Sequence, residues 1–183
     1  MSRTYGLKTA RDLLAKLKRE GQRLEHEVTS DNVFNFVVTA HHLCDWAKSD
    51  PTVPQPVKRR IDEIREHTEM KVCRDLANAS KHFELSPKKN PHPTVASAES
   101  TRGWGVGRYG AGAFGFGEGS VTITLCDQTT IDILPLMRRV VALWDEALGC
   151  TPAAGPSVPG ARGGCRASGR WQTRCHETDT SAE

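Results

Sequence analysis

The side chains in this chain best suited to chemistry stand close together, between Arg74 and His82. An imidazole titrates near neutrality and can move a proton, which makes His82 a candidate general acid or base. Arg74 and Lys81 can neutralise a phosphate, and Asn78 can orient a hydroxyl or hold the imidazole. This set suits metal-independent cleavage of RNA, in which the 2′-hydroxyl attacks the adjacent phosphorus. On a helix running from Glu69 to Leu85, at about 100° per residue, Val72, Leu76, Ala79 and Phe83 make an apolar stripe. Lys71, Asp75, Asn78 and His82 then occupy the adjacent arc, flanked by Arg74. The run Asn78-Ala79-Ser80-Lys81-His82 is unusual for a purely structural exposed helix, because Asn, Ser and His are indifferent helix formers. Such local departures concentrate at functional sites. The competing reading is a solvated face beside a core stripe, with His82 and Asn78 satisfying the loop that begins at Pro87.

A second cluster, His41, His42, Asp45 and Trp46, lies upstream. His41 and Asp45 are one helical turn apart and could bind a metal together with His82, although an Asp bonded to a His one turn earlier is the structural alternative. If the two helices are neighbours, His41 or His42 could also pair with His82 as acid and base. Other motifs carry less. Cys165, Cys175 and His176 lack the Cys-x-x-Cys spacing of a zinc site, and the Gly-rich stretch has no Lys-Ser/Thr after it as a phosphate-cradling loop requires. Trp46, Trp104 and Trp144 read as core or anchoring residues.

The elements that must position these groups follow from periodicity. Apolar residues from Thr9 to Val28 have helical spacing, with a basic opposite face read as solvated and a bend or early end allowed at Gly21. Ser30 and Asp31 supply cap oxygens for a second helix through Val33, Phe36, Val37, Ala40, Cys44 and Ala47, apolar on more than one side through Phe34, Val38 and Leu43. Prolines between Asp50 and Pro56 force a turn before a third helix with Val57, Ile61 and Ile64 buried; a fourth follows after a break near His67, with Thr68 as its cap. Pro87, Pro91 and Pro93 close the helical half. From Gly103 to Gly119 glycine alternates with Trp104, Tyr109, Phe114 and Phe116; then Val121, Ile123 and Leu125 alternate with polar residues as one strand, and Thr130 to Ile133 returns as the second strand of a hairpin. Pro135 opens a last helix with Leu136, Val140, Leu143, Trp144 and Ala147 inward, ending at Gly149.

The expected fold is mainly α, a four- to five-helix bundle with a Gly/aromatic-rich segment and a small β-hairpin before the last helix. Residues 1–149 form one helical domain, with the Gly-rich segment and hairpin at 102–134. Residues 150–183, almost without branched aliphatics, form a disordered tail. With 25 Lys plus Arg against 22 Asp plus Glu, the net charge of +3 is too slight for a strong polyanion field, so any nucleic acid must be recognised locally. No stretch approaches the roughly 20 apolar residues of a membrane span, and residues 1–7 lack the apolar run of a secretory signal, so a cytoplasmic protein with no membrane partner is expected. Cys44, Cys73 and Cys126 lie in periodic apolar segments, as reduced, buried thiols do.

On this helical background, Asn78 through His82 resembles the hallmark of the HEPN superfamily, a four- or five-helix bundle in which Arg, a polar residue (often Asn), three residues and then His follow one another on a late helix. The Arg position falls on Ala77, so Arg74, one turn earlier, would have to reach in its place. In that family the Arg and His of two protomers build a composite nuclease site. The resemblance therefore implies an RNA-binding protein or a metal-independent ribonuclease without a cofactor, in a bacterial or phage defence setting. It also implies RNA as partner, a homodimer, and His82 as the catalytic residue with Arg74, Asn78 and Lys81 in support. Ser80-Lys81-His82-Phe83 before a Gly/aromatic segment also resembles bacterial and phage proteins of the same layout. The rival expectation is a non-catalytic protein-interaction or self-assembly module built on the Gly/aromatic segment and hairpin. A metal-dependent hydrolase using His41, Asp45 and His82 is the third.

Overall fold

The structure, a computed structural model, describes residues 5–81, 92–103 and 118–149, all within the unit Met1–Thr151. Helix α1 (Ala10–His26) starts at a capping box: the Asp12 amide donates to Thr9 Oγ1 at 3.2 Å, and the Thr9 amide donates to the Asp12 carboxylate at 2.9 Å. The Ala10 amide donates to the Asp50 carboxylate at 2.7 Å, which ties the start of α1 to the end of α2 (Ser30–Ser49). Helix α1 runs on to His26 and does not end early at Gly21. A Cβ there would stand 3.1 Å from Sδ of Met137 on α5 (Ile133–Trp144), so the missing side chain lets α1 and α5 approach. The basic face of α1 is only partly solvated: Lys16 and Arg23 hold Glu20, which is 4% exposed, and Lys16 also donates to Thr39 of α2 at 2.9 Å.

Thr29, rather than Ser30 or Asp31, caps α2; its hydroxyl accepts from the Asn32 amide at 3.1 Å, and the two expected caps lie inside the first turn. Phe36, Val37, Ala40, Leu43, Cys44 and Ala47 are buried, with Val33, Val38 and Trp46 packed at the margin; Phe34 is exposed. Helix α3 (Gln55–Glu66) follows Pro54 and buries Ile61 and Ile64. The break falls at His67, in extended conformation, whose carbonyl accepts from the amides of Met70 and Lys71. Thr68 is accordingly the first residue of α4 (Thr68–Lys81) and not its cap.

The expected hairpin is present as β2 (Glu118–Leu125) and β3 (Thr130–Asp132), but a third antiparallel strand, β1 (Val95–Gly103), lies on the other side of β2. Residues 96–101 are exposed, so β1 has no apolar alternation to betray it and is held through its backbone pairing. The β region thus starts at 95 rather than 102. Gly103 pairs with Glu118 as the last pair of the β1–β2 ribbon. Ile133 belongs to α5 and not to the return strand: Asp132 caps that helix, accepting from the Leu134 amide at 2.8 Å, and Pro135 sits in its first turn. Leu136, Val140 and Trp144 are buried, Leu143 is half-buried, and a π-helical turn (Asp145–Gly149) ends the element.

The core gathers the inner faces of the helices with Val121, Ile123 and Leu125 of β2. The fold is mainly helical, a bundle with five α-helices among the described residues and a small antiparallel sheet before the last. No helix among the described residues is long and apolar enough to cross a membrane. Cys44 and Cys73 are buried as expected, whereas Cys126 is exposed: it follows the last residue of β2, outside the inward alternation, with its Sγ donating to the Pro93 carbonyl at 3.3 Å. The expected loop from Pro87, the segment 104–117 and the tail 150–183 lie outside the described residues.

Candidate functional site on helices α2 and α4

Helix α4 is rotated relative to the wheel drawn from sequence. Val72, Cys73, Asp75 and Ala77 are buried and Leu76 is half-buried, whereas Ala79, expected on the core stripe, is exposed. The Asp75 carboxylate, 2% exposed, accepts from the amides of Thr94 at 2.5 Å and Val95 at 3.2 Å, so this face of α4 is turned toward the start of β1. Cys73, opposite, faces the core near Cys44 of α2, where burial pushes both thiols up and keeps them protonated.

Arg74 lies beside this buried carboxylate. Its guanidinium donates from Nε to Asp75 at 3.0 Å, forms an ion pair with it at 2.9 Å, and reaches the His92 carbonyl at 3.5 Å. Its side chain is still 38% exposed, so a guanidinium with five donors is fixed by Asp75 while open to solvent. Asn78, half-buried, follows one turn later on the same side. The Ser80 hydroxyl donates back to the Ala77 carbonyl at 2.7 Å and is thereby occupied by its own helix. Lys81 is the last described residue of α4, about 10 Å of helix rise beyond Arg74. His82 and Phe83 lie outside the described residues.

The second cluster shares this seam. His41 of α2 is half-buried, with its ring centroid 5.7 Å from that of His42. Burial is the largest influence on its imidazole and pushes the pKa below the usual value; the charges of His42, Arg65 of α3 and Arg74 of α4 push the same way, against the opposing pull of Asp45. Asp45 does not pair with His41, as the i, i+4 spacing suggested. It binds Arg65, and Lys48 binds Asp62, two ion pairs that run α2 and α3 antiparallel. No group of three His, Cys, Asp or Glu that could hold a metal occurs among the described residues. What sequence reading missed is that Asp45 is taken by Arg65 of α3 and Asp75 by the start of β1; no spacing within either helix signals those partners.

Compared with protein-family models, with curated proteins and with solved structures, the chain finds no match.

Proposed function

We propose that the chain is an HEPN-like RNA-binding protein and metal-independent ribonuclease, cytoplasmic, acting in bacterial or phage defence as a homodimer. The observation that supports this most is the composition of the open face of α4. At about 100° per residue, Lys71, Arg74 and Asn78, all half-buried, fall within an arc of about 60°, opposite the buried Val72 and Cys73, with Lys71 paired to Glu66 at 3.0 Å. Two cations and an amide on one helix face suit a phosphodiester strand, and Arg74, already fixed by Asp75, loses little freedom on binding one.

In this reading His82 moves the proton, Arg74 and Lys81 neutralise charge developing on the phosphorus oxygens, and Asn78 orients the reacting hydroxyl. The 10 Å rise between Arg74 and the end of α4 suits a strand laid along the helix, or a site completed by a second copy. Single-stranded RNA incubated with the protein and a chelator tests it. Cleavage that His82→Ala abolishes without lowering the melting temperature is expected; cleavage that needs added metal, or a variant that only unfolds, overturns it.

One feature favours a second reading, a non-catalytic interaction or self-assembly module. Strand β1 is a sheet edge exposed from residue 96 to 101. Replacing 104–117 with a two-residue turn would then abolish the biological effect while leaving the open face of α4 untouched.

A further inference from the structure

We propose that strand β1 pairs edge to edge with β1 of a second copy of this chain, antiparallel about a two-fold at Ser100, so that two three-stranded sheets join as one. This goes beyond the ribonuclease reading above, shares with it only the homodimer, and holds whether or not RNA is cleaved. The backbone groups that β1 offers follow from the bonds beside it. The Cys126 amide donates to the Thr94 carbonyl on the β1 side at 2.9 Å, whereas the Leu125 amide donates to the Thr129 carbonyl on the β3 side at 2.8 Å. Backbone groups alternate in direction along a strand, so Ser120, Thr122 and Thr124 bond toward β1, and their partners Thr101, Glu99 and Ser97 turn inward to meet them. Ala98, Ser100 and Arg102 therefore turn their amides and carbonyls to the outer edge, beside which no further strand stands among the described residues.

Both faces of the strand are open as well. Ala98 and Ser100 pair with Ile123 and Val121 and so share the sheet face that β2 buries, yet both are exposed: the helical layer that covers β2 does not cover β1 here. A bare edge is normally blunted by Lys, Pro or a bulge. Residues 97–103 contain no Lys and no Pro, and the one irregularity, between Val95 and Ser97, lies before them. The strand itself selects the occupant. A foreign peptide added to an edge is chosen by pockets that take its alternate side chains, and nothing among the described residues walls one over the exposed Ala98 and Ser100. A second copy needs no pocket, because 97–103 is its own complement: a two-fold at Ser100 sets Ser97 opposite the partner's Gly103 and pairs every residue of the stretch. It also sets outward residues opposite outward residues, as a ladder requires. Charge decides against the neighbouring register. A two-fold at Glu99 would set two carboxylates against each other, whereas with the axis at Ser100, Glu99 faces the partner's Thr101. The joined sheet ends on each side at β3, only three residues long, so the pairing closes at two copies.

The test is the mass of the full chain in solution, by light scattering and sedimentation, which should be that of a dimer. Ser100→Pro removes an amide that faces only the outer edge, so the ladder to β2 stays whole. This variant should keep the wild-type circular dichroism and raise the dimer Kd by at least about 30-fold. Oxidative cross-linking, located by peptide mass spectrometry, reads the register and decides alone if the proline variant does not fold. Cα atoms of a hydrogen-bonded pair stand about 5.5 Å apart, within disulfide range, so Ser100→Cys should give a dimer joined through position 100. Thr101→Cys, whose two copies are offset by two residues, should not. A monomeric chain, a dimer that a folded Ser100→Pro leaves intact, or cross-linking at 101 and not at 100 each overturns the proposal. A monomer that still cleaves RNA removes the dimer and leaves the cleavage reading standing; a dimer that Ser100→Pro dissociates, without activity on RNA, does the reverse.

Discussion

Asp75 sits, on a helical wheel, among polar residues that a sequence reader would expose. Its carboxylate is instead 2% exposed and accepts two backbone amides at the start of β1 as well as the Arg74 guanidinium. Asp75→Ala leaves those amides without their acceptor and should cost about 1.5–3 kcal/mol by urea unfolding, with Arg74 released at the same time. Asp50 and Glu20 make the same point for acid stability. At each, burial is the largest influence and raises the pKa, but bonding outweighs it: at Asp50 the Ala10 amide, the Thr52 hydroxyl and amide and the charge of Lys58, and at Glu20 Lys16 and Arg23. Both folded values lie below the ordinary 3.8 and 4.5, so the native state binds fewer protons than the unfolded chain. Their stabilisation is complete above those ordinary values and is lost as the pH falls through the lower folded ones. Urea midpoints measured from about pH 6 down to about pH 2.5 should fall over that window, and Asp50→Asn should flatten the fall.

At the scale of elements, β2 shows where glycine is required. A Cβ on Gly119 would stand 2.3 Å from the carbonyl oxygen and 3.3 Å from the carbonyl carbon of Val28, between α1 and α2, and neither is a movable side-chain end. Gly119→Ala should therefore lower stability by about 1–3 kcal/mol in thermal or urea unfolding. The same contrast explains what sequence could reveal. The helices were legible because their apolar residues recur at three and four and the prolines at 54 and 56 fall at an element start. Strand β1 was not, since its side chains are solvated and only its backbone pairs; nor was the rotation of α4, which depends on one carboxylate finding amides nineteen and twenty residues away. The caps at Thr29 and His67 were each misplaced by one residue, the usual fate of boundaries where several polar residues adjoin. The pairing of Asp45 with Arg65 was out of reach for a similar reason: both residue types were visible, but the antiparallel packing of α2 on α3 that joins them is a tertiary fact.

For the whole molecule, the helical bundle and the β1–β2 ribbon separate two kinds of function. Because Gly103 pairs with Glu118, segment 104–117 can be replaced by an Asn-Gly turn without disturbing the paired strands or Gly119. RNA cleavage should survive this replacement within a few-fold if the open face of α4 carries the activity, as a fluorescent RNA assay would show. The central claim is that this face of α4 acts on RNA without a metal. Its most direct measurement is the end chemistry of single-stranded RNA treated with the full chain in excess chelator. The account predicts fragments ending in 2′,3′-cyclic phosphate and beginning with 5′-hydroxyl, absent with His82→Ala. Intact RNA, or fragments carrying 5′-phosphate that form only with added divalent metal, would contradict it.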